Sequence, residues 1–212
     1  MRVFCVYALM KPTTTTTTLS QYLIPATVIL GAFLFSSKGI FTKMMYAEGL
    51  NASSILALRM SAALPFYLVG VFMIRRTLSG ISIKDWLTMA GLSMIGYFLC
   101  SLINTSGLKY ISVGLERIIL FCYPSLVLVG SAVLKKQPPS KNLTIACVMS
   151  WIGLYLVIQE EIQITAHTSR VLLGSALVLL SSIIYAGYIL IAKPIITRVG
   201  SERYTSLVMC LS

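Results

Sequence analysis

Apolar residues collect in six long runs separated by short polar links, and each run approaches the roughly 20 helical residues that cross a hydrocarbon core. The runs extend from Tyr22 to Phe41, Ser53 to Ile74, Trp86 to Ile103, Val113 to Leu134, Leu143 to Ile158 and Val171 to Ala192. The fifth is short, and a seventh opens at Tyr204 and is cut at Ser212. A backbone in lipid must satisfy its own hydrogen bonds, and the runs lack the alternation of barrel strands. The pattern therefore predicts an all-α, polytopic transmembrane bundle. Pro25 and Pro194 lie near span ends, whereas Pro65 and Pro124 lie inside spans and predict kinks.

Composition points the same way. With 57% hydrophobic and 11% charged residues, the chain has too few charges to coat a soluble domain, so lipid must cover the remainder. The formal charge of +11 would favour nucleic acid if the basic residues formed one face or tail. They are instead divided among the links, so no nucleic-acid partner is expected. Arg2, Lys11, Arg75, Arg76, Lys84, Lys135, Lys136, Lys141, Lys193, Arg198 and Arg203 all fall on one side of the bilayer. The other side carries Lys43, Lys109 and Arg170 with Glu48, Glu160 and Glu161. The positive-inside rule then places the N-terminus in the cytoplasm and the chain in the plasma (inner) membrane. Residues 1–21, with the run Thr13 to Thr18, read as a cytoplasmic tail rather than a cleaved leader. Cys5, Cys100, Cys122, Cys147 and Cys210 are widely spaced and read as packing residues, not as a disulfide framework or metal site.

A faint internal repeat is also present. A shift of 151 residues superposes Gly49 on Gly200, Leu56 on Leu207 and Ser61 on Ser212, with Lys43 one residue from Lys193. If the unit is five spans, the odd count inverts the second copy in the membrane, an arrangement common among secondary transporters.

Enzyme signatures are mostly missing. The sequence holds no nucleotide-phosphate loop, and His167, its one histidine, lies in a link without a Cys or Asp partner. No cofactor is expected, and Asp85 and Glu202 read as loop charges. Charges inside spans carry more information, because each costs on the order of 3 kcal/mol near the bilayer centre and usually faces protein or water. Lys38, Arg59, Glu116 and Arg117 qualify. One reading has the cations snorkel to the headgroups while Glu116 neutralises a neighbour. The other lines a cavity with three cations and one acid, which favours an anionic or zwitterionic solute and leaves Glu116 to hold a coupling proton. Ser93, Tyr97, Ser101 and Asn104 share a face of span three at helical spacing, and Ser175, Ser182 and Tyr185 repeat the theme in span six. Helix packing and solute contact both account for them. Tyr123 shares a face with Glu116, and Pro124 frees backbone carbonyls beside it. The candidate solute-binding residues are thus Lys38, Arg59, Asn104, Glu116, Arg117 and Tyr123.

Two segments carry a family resemblance. Leu56-Ala57-Leu58-Arg59-Met60-Ser61-Ala62-Ala63 resembles the Arg-bearing start of the second helix in EamA-type members of the drug/metabolite transporter superfamily. The stretch from Gly107 to Arg117, running on to Tyr123 and Pro124, is similar to the tight link between that family's third and fourth helices. The resemblance covers the chain from about Ala26 onward and implies two five-helix repeats that move a small metabolite by alternating access. On that pattern, residues 22–160 form a first repeat and 171–212 the start of a second. The family pattern holds ten helices, so the reading expects a truncated transporter of doubtful activity, with a non-transporting membrane scaffold as the alternative. The expected partners are a small-molecule solute and the lipid bilayer.

Overall fold

Each of the six apolar runs folds as a helical span in the computed structural model, which describes residues 18–74, 82–135, 140–165 and 167–211. Helix α1 covers Thr18–Ala47 and α2 covers Ala52–Ile74. The third span is built from α3 (Ile83–Gly91), a π-helical segment (Leu92–Leu99) and α4 (Cys100–Leu108). The fourth consists of α5 (Val113–Phe121) and α6 (Tyr123–Lys135). Then come α7 (Lys141–Thr165), α8 (Thr168–Val199) and α9 (Ser201–Leu211). Arg2, Lys11, Arg75, Arg76 and Lys136, on which the orientation reading draws, lie outside the described residues, as do Cys5 and the Thr run up to residue 17.

The structure departs from the sequence pattern in spans five and three for physical reasons, and the break expected at Pro124 is present. The fifth apolar run ends at Ile158, yet α7 continues through Glu160 and Glu161 to Thr165. The Glu161 carboxylate accepts hydrogen bonds from the Ser112 amide and hydroxyl, both at 2.8 Å, and so ties the end of α7 to the start of α5. In span four the ladder breaks at Cys122, because Pro124 has no N–H to give to the Leu120 carbonyl one turn earlier; the Ser125 hydroxyl also donates to the Cys122 carbonyl, at 2.6 Å. By contrast α2 continues through Pro65 without a break. In span three the π turns change the phase of the side chains. The predicted polar face divides accordingly: Ser93 and Asn104 are buried, while Tyr97 and Ser101 are half-buried.

Helix α8 runs through the middle of the bundle, touching α4, α5, α6, α7, α9 and the π-helical segment. Its closest approach is to α4, where small residues let the backbones meet. A Cβ on Gly174 would stand 3.0 Å from the Gly107 carbonyl oxygen, and one on Gly107 would stand 2.9 Å from that of Gly174. Apolar packing gathers toward the two ends of α8. Ile111, Leu115, Ile119, Val171 and Val178 fill one cluster, and Met89, Ala192, Ile195, Leu207 and Val208 fill the other. Helix α2 packs on α9. The outer faces keep large apolar side chains such as Phe33, Phe66 and Val133 exposed, as helices bathed in lipid do. Asp85 is not a loop charge: it sits in the first turn of α3 and pairs with Arg198 at 2.7 Å. Such an exposed pair contributes about 1 kcal/mol or less.

Candidate functional site

The start of α5 sets the geometry of the charged cluster. Ser112 caps the helix, its hydroxyl accepting from the Leu115 amide at 3.2 Å, and this puts Glu116 in the first turn, where the helix dipole favours a carboxylate. Glu116 is 0% exposed. Neither of its oxygens has a hydrogen-bond donor among the described residues, although Arg117 Nε lies 3.3 Å from Oε2, off the hydrogen-bonding line. The attraction between these neighbours is therefore one of charge rather than of a directed bond.

Arg117 reaches across to α1. Its Nη2 donates to the Phe35 carbonyl at 3.1 Å and to that of Ser36 at 3.5 Å, and its guanidinium carbon stands 5.0 Å from the centre of the Phe35 ring. Lys38 Nζ lies 5.8 Å from the same ring centre. One aromatic ring thus serves two cations, an attraction that strengthens where water is scarce. Gly39 permits the approach, since a Cβ there would stand 2.6 Å from Val113 Cγ1. Lys38 also lies within electrostatic reach of Arg59 on α2, of Glu116 and of Arg117. Four predicted residues from α1, α2 and α5 therefore form one net-positive cluster in the bundle.

Arg59 is half-buried, and its Nη1 is buried without a hydrogen-bond partner among the described residues. Asn104, 5% exposed on α4, likewise holds a buried and unpartnered Nδ2. It lies one helical turn beyond Cys100, which is within electrostatic reach of Lys38. Buried donors of this kind are costly unless something occupies them. The set offers donors at Arg59 and Asn104 to an oxyanion, and acceptors at Glu116 to a proton or a cationic group.

Tyr123 stands in a different constellation. Its ring meets Tyr185 edge-on, centroids 5.5 Å apart; Tyr185 stacks on Tyr188 at 5.8 Å, and Tyr188 leans on Tyr204 at 6.5 Å. This column links α6, α8 and α9. The span-six serines serve the backbone in two cases, Ser181 and Ser182 both donating to the Val178 carbonyl. Sequence reasoning missed Phe35 and the tyrosine column. Phe35 gave one signal, its position three residues before Lys38 on the same helical face.

A family model described as the EamA-like transporter family matches residues 23–159. The protein named uncharacterized transporter YcbK of Bacillus subtilis (strain 168) is 28% identical over 182 residues, an overlap that takes in 83% of this chain and 56% of that protein. The chain thus spans about half the length of that curated relative. No solved structure shows a significant match.

Proposed function

The chain belongs to the EamA-like transporter family, and on that premise we propose that it handles a small anionic or zwitterionic metabolite in the membrane by alternating access, driven by an ion gradient or by exchange. The observation that carries this reading is the fully buried Glu116 amid Lys38, Arg59 and Arg117, within helices that cross lipid. Charges are expensive there and usually mark a solute or ion path. In this reading the spare donors of Arg59 and Asn104 hold the solute's anionic group, and Glu116 takes a coupling proton or the solute's cationic group. Lys38 and Arg117 tune the field around Glu116, whereas Tyr123 packs on Tyr185 in the tyrosine column and is given no part in this cluster.

The same reading takes residues 22–160 as one repeat and 171–212 as the opening of a second, inverted one. Gly49 and Gly200, superposed by the shift of 151, have φ of 83° and 93°, the two positive-φ glycines among the described residues. Each follows a long helix and precedes another, and Leu56 and Leu207, likewise superposed, are 1% and 4% exposed. Helix α1 ends beside Lys109, where α8 begins, so the corresponding helices run in opposite directions. These features support an inverted pair.

Flux of labelled amino acids and organic acids into vesicles carrying the chain tests the proposal. Arg59→Gln and Glu116→Gln should each lower flux by about tenfold or more, the scale of one charged hydrogen bond, with expression unchanged. Flux no higher than in empty vesicles, or equal in both variants, would support the scaffold alternative instead.

A further inference from the structure

The three basic residues that the sequence assigns to the sparsely charged side of the bilayer meet at one end of the bundle. Lys43, near the end of α1, donates from Nζ to the Lys109 carbonyl at 3.5 Å. Lys109, in the link between α4 and α5, and Arg170, in the first turn of α8, line a recess of about 420 Å³ together with Tyr110 and His167. This convergence joins three separate helix ends and is invisible in the linear order of the chain.

The positive charge of the recess is not balanced by the protein. Neither the Lys109 ammonium nor the Arg170 guanidinium enters an ion pair among the described residues. Glu161, the acid tied to this end, has its carboxylate taken up by the Ser112 amide and hydroxyl, and the charge it contributes falls on Lys43. Glu48 and Glu160 are exposed and do not line the recess. Helix α8 adds to the imbalance: its first turn holds no acidic residue and His167 gives no side-chain cap, so no side chain there offsets the positive end of the helix dipole beside Arg170.

We propose that this recess binds a phosphate group, with the Arg170 guanidinium taking its oxygens side by side and Lys109 supplying the second charge. A planar fork suits paired phosphate oxygens, and an ammonium serves as a point charge beside it. The phosphate is either the headgroup of an anionic phospholipid, with Tyr110 at the rim as an interfacial aromatic, or a soluble phosphate at the mouth of the bundle. The site is separate from the cluster around Glu116 and does not depend on the transport reading.

The full chain, purified in detergent, is tested in two arms. In the first it is placed in nanodiscs of phosphatidylcholine with phosphatidylglycerol, and the lipid that stays bound after extraction is counted by native mass spectrometry. In the second, inorganic phosphate is titrated onto the detergent-solubilised protein by calorimetry. Lys109→Gln and Arg170→Gln should each weaken binding by about tenfold, the effect of removing one charged hydrogen-bond partner. Lys193→Gln, exposed in the last part of α8 and away from the recess, should leave phosphate binding unchanged. Wild-type binding should also fall as salt is raised, a readout that needs no variant. Loss confined to the lipid arm identifies a headgroup, and loss in the phosphate arm identifies a soluble ligand; both support the site. Binding unaffected by either substitution, or insensitive to salt, overturns it, as does equal retention of the two lipids with no phosphate bound.

Discussion

Glu116 is fully buried, with Arg117 beside it and the start of α5 beneath it. Taking a carboxylate out of water costs several kcal/mol, and only nearby cations and the dipole of α5 offset that cost. Arg117 has two tasks, since it neutralises Glu116 and also fastens α5 to α1 through the Phe35 and Ser36 carbonyls. Arg117→Met should therefore destabilise the detergent-solubilised protein by about 3 kcal/mol, the range for breaking a buried pair from one side. Adding Glu116→Gln should recover part of that loss, because it removes the charge left uncompensated. Thermal unfolding of the wild type, the two single variants and the double variant closes the cycle; strictly additive effects would mean that the pair is not coupled. The charged members of the cluster were legible in the sequence because a charge in an apolar run stands out. Phe35 was not, because an aromatic among apolar residues gives no contrast until its neighbours in space are known.

Among the helices, α8 shows what a hydropathy pattern conveys and what it omits. Its existence and approximate start follow from the run of apolar residues. Its place in the middle of the bundle comes from where its small residues fall, and the pattern does not rank them. Gly174 faces Gly107, Tyr110 and Ile111 at contact distance, whereas Gly187, in the same helix, has nothing within 4 Å of where a Cβ would go. Gly174→Ala should force α4 and α8 apart and cost about 1–3 kcal/mol as overpacking. Gly187→Ala should be neutral or stabilise by about 0.5–1 kcal/mol, as helical Gly-to-Ala changes do. Comparing their unfolding temperatures checks both, and equal shifts would refute the assigned contact. The π-helical segment Leu92–Leu99 was illegible for a related reason: apolar side chains cover both the 3.6-residue and the wider register, so nothing in their order selects the wider one. The length of α7 was hidden too, because the bonds from Ser112 to Glu161 are formed only after α5 and α7 meet.

Over the whole molecule, the all-α membrane class was fixed by composition, whereas the inverted repeat proposed above draws its support from three dimensions. A match of Gly49 to Gly200 at a single spacing is weak in one dimension. The same pair gains force when both glycines adopt a φ that other residues rarely accept and both sit between consecutive helices. The proposed orientation in the bilayer rests on the distribution of Lys and Arg, which the fold sorts to the two ends of the bundle. Lys84, Lys141, Lys193 and Arg198 lie toward the end of the bundle where α8 finishes, and Lys43, Lys109 and Arg170 lie toward the end where it starts. The two groups differ in number, and the orientation proposed from the positive-inside rule puts the richer end in the cytoplasm. A reporter fused after Arg76 should therefore read cytoplasmic, and one inserted between Glu161 and Arg170 should read external. Anionic lipid in the cytoplasmic leaflet attracts the richer end by about 1 kcal/mol for each basic residue near the surface, so the bias is cumulative. The opposite reporter pattern would mean that the three cations at the start of α8 outweigh the larger group, and it would transfer the phosphate recess to the cytoplasmic face.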